Sequence, residues 1–172
     1  MRTQLLLTAT LGAWLAGTLF MWMTAIKNFE TVDVILTAPP PALKSMTAEL
    51  AAADLREVMR YQASEVNRLF FAGWGATQVL LGLVALLLGW KSSGGRMVTG
   101  CVVGAVVIAG VLQTVAVPET IRLGRIIDFV GGSLAETAAF WRYHHTYTGL
   151  DMTKVILLIV ATGLLSWRQR DY

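Results

Sequence analysis

The stretch LFFAGWGATQVLLGLVALLLGW, residues 69–90, is followed by the turn KSSGGR and then by MVTGCVVGAVVIAGVLQTVAV, residues 97–117. At about 1.5 Å per residue, each apolar stretch is long enough to cross a hydrocarbon core about 30 Å thick, and neither contains a charged residue. Because the turn between them is short and rich in serine and glycine, we predict that they form an antiparallel transmembrane hairpin.

Two further apolar stretches lie at residues 5–26 and 150–167. The first is too long for the apolar core of a secretory signal peptide, so we expect it to be retained as an anchor. The last is uncharged only from residue 155 onward, and it spans the bilayer only if Lys154 snorkels toward the headgroups. The chain is therefore predicted to be all-α, an integral membrane four-helix bundle forming one four-span domain over residues 1–172. The predicted spans are 5–26, 69–90, 97–117 and 150–167.

The composition fits this prediction. Hydrophobic residues make up 55% of the 172 residues and charged residues 15%, against about 25% charged residues in ordinary soluble domains. The formal net charge of +3 comes from basic residues scattered among acidic ones, so we expect membrane lipid as a partner and no nucleic acid. The single cysteine, Cys101, leaves no intrachain disulfide to form.

The connection between the first two spans predicts a long extramembrane extension of helix 2. Three prolines at 39–41 interrupt any helix, and from residue 44 onward apolar residues recur at a 3.6-residue period into the second span. One helix is therefore predicted from about 42 to 90. Its apolar stripe needs a cover, which the segment 133–148, a second copy of the chain or another protein could supply. The predicted partner contacts are Leu55, Met59 and Trp141.

The segment before the last span is predicted to contain a short interfacial helix. Gly131 and Gly132 break the preceding helix, and Ser133 with Glu136 has the spacing of a capping box. Aromatic side chains typical of the headgroup region follow. The short helix is expected to end near Gly149, where residues 148–151 can cap helix 4.

Two adjacent histidines, His144 and His145, lie in this segment. Neighbouring residues on a helix diverge by about 100°, so the two side chains cannot both ligate one metal ion from a regular helix. They are candidates for binding haem or (bacterio)chlorophyll, through a single imidazole or between two subunits, with a structural or proton-sensitive role as the default. The sequence contains no catalytic motif, and we predict no metal site and no enzymatic activity.

Charged residues collect where the longer connections meet the spans. They either form solvated helix ends with exposed ion pairs, such as Asp151 with Lys154, or line a polar vestibule that binds a partner, a lipid headgroup or a small solute. Within the spans, Gln78 and Gln113 each require a partner on another helix. The vestibule candidates are Arg68, Glu119, Arg122, Asp128 and Asp151.

Four spans place both termini on the side of the 91–96 turn. The longer connections contain more basic residues in total, but the positive-inside rule is strongest for short segments next to the spans. Two such short segments each contain a pair of basic residues, Lys91 with Arg96 and Arg168 with Arg170. We therefore predict that both termini are cytoplasmic and that the membrane is the bacterial cytoplasmic membrane.

The last third of the chain resembles a known family. Phe140, His144, Tyr147 and Asp151 follow the spacing of a phenylalanine, histidine, serine and asparagine pattern in the four-span family of unknown function that includes transmembrane protein 205. The first span is similar to the family's W-x-x-G-x-x-F region, and Pro118 stands where a proline often closes its third span. The resemblance implies the four-span fold and assigns no reaction.

Three functions follow from these observations, in order of preference. The first is a non-catalytic accessory or scaffold subunit of a membrane protein assembly. The second is a membrane bundle that handles a small solute or ion, which requires polar groups at mid-span. The third is a haem- or pigment-binding membrane protein.

Overall fold

The computed structural model describes residues 2–91, 95–129 and 132–168, and in these ranges the chain is helical with no strand. A π-helical turn, Leu112–Ala116, joins α4 to α5 without a break. The helices are α1 Arg2–Thr37, α2 Pro41–Met46, α3 Ala52–Trp90, α4 Gly95–Val111, α5 Val117–Ile127 and α6 Leu134–Arg168.

Four helical segments are long and apolar enough to cross a membrane: α1, α3, the continuous α4–α5 unit and α6. Helix α1 packs against α3 and α6, while α4 packs against the same two helices, so the four segments form a closed bundle. The prediction of an all-α, four-helix membrane bundle is confirmed. We call the side of the membrane with Trp90 and Gly95 the hairpin side, and the side with Thr37 and Ala52 the extension side.

The prediction of a separate interfacial helix before helix 4 is wrong, because α6 continues from Leu134 to Arg168. The capping box at its start is confirmed: Ser133 N–H donates to Glu136 at 2.9 Å, and Glu136 N–H donates to the Ser133 hydroxyl at 3.2 Å. No cap forms at 148–151, since the Thr148 hydroxyl donates to the carbonyl of His144 one turn earlier, as in a helix interior. A single glycine, Gly149, does not end a helix that tertiary packing holds in place.

The predicted helix from 42 to 90 is also interrupted. Short helix α2 ends at Met46, and α3 begins at Ala52. Helix α1 in turn continues beyond the first span to Thr37, so an extension of α1 lies beside the extension of α3. The Asn28 amide joins them by donating to the carbonyl of Ala63 at 2.9 Å and to the side chain of Asn67 at 3.0 Å.

The apolar core is concentrated toward the hairpin side. The side chains there are at most 2% exposed and are supplied by all four membrane-crossing segments. Large apolar side chains on the outer surface of the spans are exposed, such as Leu80 and Val107, as expected where lipid surrounds a bundle. The buried core residues include Leu7, Leu11, Ala85, Val98, Val102, Ala105, Leu158, Ala161 and Leu165.

Candidate functional site: a buried ion pair with two layers of polar groups above it

A buried ion pair on α6 is the central polar feature of the bundle. Asp151 is 1% exposed and Lys154 is not exposed at all. The Lys154 Nζ donates to Asp151 Oδ1 at 2.5 Å, one helical turn away, and also to the side-chain oxygen of Gln78 on α3. The sequence predicted the i,i+3 pair, and the structure shows that it is buried within the bundle rather than exposed.

Two tryptophans of α1 complete the environment of this pair. Trp22 Nε1 donates to the second carboxylate oxygen of Asp151 at 2.6 Å. Trp14 Nε1 lies 3.4 Å from the Gln78 oxygen that Lys154 also contacts. The carboxylate, the ammonium and the amide therefore bind side chains from α1, α3 and α6, and the predicted interhelical partner of Gln78 is found.

The Lys154 ammonium lies deep in the membrane. Its contact Gln78, and Trp14 beside it, lie near the middle of the apolar stretches 69–90 and 5–26. The prediction that Lys154 snorkels is therefore wrong: its side chain turns inward because a carboxylate and an amide oxygen are available there, and none of it is exposed.

The pair is electrically neutral as a unit, but its burial is costly. Desolvating two charges in a low-dielectric interior costs several kcal/mol per ion, and their attraction offsets this only when further hydrogen bonds complete the geometry. Trp22 and Gln78 supply such bonds. Ionisable residues within spans mark ion or solute sites by default, since an apolar pair of similar volume would stabilise a bundle at least as well.

A second polar layer lies one turn closer to the extension side. Gln113, on the π-helical turn, points its Oε1 at Gly75 so closely that a Cβ added to Gly75 would be 1.6 Å from that oxygen. Gly75 precedes Gln78 by three residues on α3, or about 4.5 Å along the axis. Gln113 Oε1 is buried without a hydrogen-bond partner in the described part of the chain, so the predicted partner of Gln113 is not seen for this atom.

Trp74 adds another buried polar atom to this layer. Its ring lies over Gly17 of α1, where a Cβ would be 2.2 Å from the ring, and its Nε1 has no partner within the described ranges. Above Asp151, Tyr147 packs edge-on against Phe71, with ring centroids 5.5 Å apart. These two rings lie one helical turn nearer the extension side than Asp151 and Gly75.

An outer cluster of charges lies beyond these rings, between α3 and α5. Glu65 accepts from Arg68 at 2.7 Å and from two nitrogens of Arg125 at 2.9 and 2.8 Å. These bonds, first from Arg125 and then from Arg68, hold the pKa of Glu65 at about 2, well below its usual range. Arg68 also forms an ion pair with Asp128, with Nη2 2.7 Å from Oδ2. Gly124 leaves the space that the Arg68 guanidinium occupies.

The predicted vestibule residues lie in three places rather than one. Arg68 and Asp128 belong to the outer cluster. Glu119 and Arg122 form a separate pair at 2.8 Å on α5, and both are substantially exposed. Asp151 lies in the buried pair. The predicted vestibule is therefore not one site. Its residues belong to the outer cluster, the buried pair and the separate Glu119–Arg122 pair.

The two candidate histidines lie together on the outside of α6. Both are exposed, and their rings, 6.1 Å apart between centroids, lie beside the exposed ring of Trp141. Within the residues described, no three His, Cys, Asp or Glu side chains are grouped as a metal site would require. Binding of haem or a pigment by His144 or His145 stays a prediction.

The predicted partner contacts differ in exposure. Leu55 and Met59 are partly buried, whereas Trp141 is 49% exposed. The extension of α1 supplies part of the cover on α3: Arg56 pairs with Asp33 at 2.5 Å, on the α1 side of the extension. Apolar side chains that stay exposed on α3 include Val58, at 56%.

Sequence reasoning missed the inner site, although signals for it were present. Asp151 and Lys154 stand at the start of the last apolar stretch with i,i+3 spacing, which was interpreted as a helix end. Trp14 and Trp22 provide the only side-chain N–H groups of α1 inside its apolar stretch. A buried tryptophan N–H needs an acceptor, such as a carboxylate or an amide oxygen on a facing helix.

Comparison with protein-family models, with curated proteins and with solved structures gives no match to this chain. The resemblance to the family that includes transmembrane protein 205 therefore stays a prediction.

Proposed function

We propose that this protein is an ion-handling membrane bundle in which the Asp151–Lys154 pair binds a proton or a small cation. The observation that carries the proposal is the burial of both charges within the bundle, with the Lys154 ammonium at mid-membrane depth, where it contacts the amide of Gln78. A solute- or ion-handling bundle needs polar groups at that depth, and three of the membrane-crossing helices supply them here.

The unpartnered atoms next to the pair support a binding role over a purely structural one. Buried polar groups nearly always have a hydrogen-bond partner, and exceptions point to water, an ion or a catalytic or binding role. Gln113 Oε1 and Trp74 Nε1 are such exceptions among the described residues. Gln113 moreover lies on a π-helical turn, a feature frequent at functional sites.

The chemistry follows from the contacts. Asp151 uses one carboxylate oxygen for Lys154 and the other for Trp22, so a proton or cation that binds the carboxylate competes with these two donors for its negative charge. A displaced Lys154 ammonium keeps the oxygen of Gln78 as a partner. Displacement of Trp22 instead removes the hydrogen bond that joins α6 to α1 at this level, and through that bond the site can respond to an ion.

Infrared difference spectroscopy of the purified protein in lipid tests this proposal. We expect a change in carboxyl absorption when pH is varied, or when Na⁺ or K⁺ is added, that is absent in Asp151→Asn. The matched control is Asp33→Asn, because Asp33 is also paired with a cation but is half exposed. If Asp151→Asn shows the same carboxyl changes as the wild type, or if none occurs in the wild type, the ion-handling function is refuted.

A second function, an accessory or scaffold subunit, is favoured by apolar side chains exposed beyond the spans. Met46 is 84% exposed, Val34 66% and Val58 56%. Such side chains outside the bilayer are typical of a surface that another protein covers. Crosslinking from a photoreactive residue at Val58 in native membranes, with Glu57 as the control position, tests this function. If the residue at Val58 crosslinks only within its own chain, the scaffold function is refuted.

The location and the third function are also proposed. We propose that both termini face the cytoplasm of a bacterial cell, as the basic residues Lys91 and Arg96 next to the hairpin spans indicate. Binding of haem or (bacterio)chlorophyll at His144 or His145 would appear in the visible absorption spectrum of the purified protein.

A further inference from the structure

An open groove lies between α3 and α5 at the extension-side boundary of the membrane. Its volume is about 580 Å³, within the range of ligand clefts. Toward the extension side the groove is lined by the charged side chains of Glu65, Arg68 and Arg125, and toward the hairpin side it is apolar. The apolar lining consists of Val66, Leu69, Ala72 and Ile121.

The groove changes from charged to apolar at the level where the second span begins. Arg68 and Leu69 are neighbours in sequence, and Leu69, the first residue of the apolar stretch, is 73% exposed. A molecule that fills the groove must therefore have a charged end at the membrane surface and an apolar end inside the bilayer. A phospholipid has this form, and the groove opens to the bilayer where phospholipids are present.

The charges of the groove identify the kind of headgroup. Glu65 and Asp128 balance Arg68 and Arg125, so the outer cluster has no net charge with which to attract an anionic lipid. Arg125 is 58% exposed and uses Nε and Nη2 on Glu65, which leaves its Nη1 hydrogens for a phosphate. The Glu65 carboxylate, 30% exposed, can accept from an ammonium group.

We propose that this groove binds one phospholipid with a phosphoethanolamine headgroup. The phosphate contacts Arg125, the primary ammonium donates to Glu65, and an acyl chain lies along Leu69 and Ala72. A phosphocholine headgroup has no N–H to donate, and a phosphoglycerol headgroup brings a negative charge without the positive one. The proposal does not depend on the function of the buried ion pair, because neither the pair nor its partners Trp22 and Gln78 line the groove.

Native mass spectrometry of delipidated protein titrated with each of three phospholipids tests the proposal. We expect one phosphatidylethanolamine to bind about tenfold more tightly than phosphatidylcholine or phosphatidylglycerol of the same acyl chains, the size of effect that one charge-assisted hydrogen bond gives. Arg125→Gln is expected to remove this preference. Arg122→Gln is the matched control, because Arg122 is equally exposed and paired on the same helix but does not line the groove.

A second variant leaves the ion pairs intact. Ala72→Trp is expected to fill the apolar part of the groove and abolish binding of the single tight lipid, whereas Ala76→Trp, one turn along α3 on an exposed site outside the groove, retains it. Equal affinity for the three lipids, a preference for another headgroup, or unchanged binding in both Arg125→Gln and Ala72→Trp would each overturn the proposal.

Discussion

Removing the Lys154 ammonium is expected to destabilise the bundle strongly. In Lys154→Met the side chain keeps its approximate length, but Asp151 retains only the hydrogen bond from Trp22, at 2.6 Å, and Gln78 Oε1 retains only Trp14, at 3.4 Å. Since both members of the pair are at most 1% exposed, water cannot replace the lost partner. Breaking a pair of this kind costs about 3–5 kcal/mol.

This loss is measurable as a shift in thermal unfolding in a mild detergent, followed by circular dichroism. At about 2–4 °C per kcal/mol for a chain of this size, the midpoint should fall by roughly 6–20 °C. The control is Arg56→Met, which breaks the half-exposed pair with Asp33 and should cost at most about 1 kcal/mol.

The double variant Asp151→Leu/Lys154→Met distinguishes an unpaired charge from lost packing. Replacing both partners by apolar groups removes the buried charges together, so most of the stability should return. The reasoning is refuted if Lys154→Met behaves like Arg56→Met, or if the double variant is as unstable as the sum of its single changes.

Three further outcomes are expected. Gly17→Ala should lower the unfolding midpoint markedly, because its Cβ would lie 2.2 Å from the rigid ring of Trp74, whereas Gly12→Ala on the same helix, with nothing within 4 Å, should leave it unchanged or raise it. The ion pairs of Glu65 stabilise the fold above its unfolded pKa, and this contribution is lost as pH falls from about 4.5 to about 2; pH-dependent unfolding curves of the wild type and Glu65→Gln should therefore converge at acidic pH. In a Cys101→Ala background, a cysteine at Ser93 should react with a membrane-impermeant thiol reagent only from the cytoplasmic side, and labelling only from outside would invert the predicted topology.

The sequence predicts the span number well because length and the absence of charge are sufficient for that inference. Residues 69–90 and 97–117 could form nothing else in a bilayer. The cap at Ser133 is equally local, since Glu136 is three residues away and both partners are on one turn. Features that depend on a few adjacent residues or on total apolar length can thus be predicted from the sequence alone.

Where a helix ends is harder to predict from the sequence, because it depends on contacts with residues far away along the chain. A glycine at 149 costs a helix about 1 kcal/mol, an amount that packing of α6 against α1, α4 and α5 can offset. Extension of α1 to Thr37 likewise depends on α3, through the bonds that Asn28 makes to Ala63 and Asn67. Neither contact is visible in the local pattern.

The burial of the Asp151–Lys154 pair could not be predicted from the sequence for the same reason. The spacing of Asp151 and Lys154 predicts an ion pair, but whether the pair is exposed depends on how α6 is rotated against α1 and α3. Trp22 and Gln78, which fix that rotation by binding the pair, come from helices more than seventy residues away in sequence. For the same reason, the close approach of Gln113 to Gly75 could be seen only in the folded chain.

The two halves of the bundle differ in how polar the groups are on either side of the ion pair. Toward the extension side, two polar layers and the rings of Phe71 and Tyr147 lie above Asp151. Toward the hairpin side, the buried core cluster below Trp14 consists of aliphatic side chains at most 2% exposed, and these side chains cannot replace the water that an ion loses. In the proposed function, an ion therefore enters from the extension side past the rings of Phe71 and Tyr147, because the apolar packing between α4 and α6 opposes release to the hairpin side. Because small residues such as Ala105 and Ala161 hold these helices close together, the packing supports the form of the proposed function in which an ion binds at Asp151 without crossing the membrane.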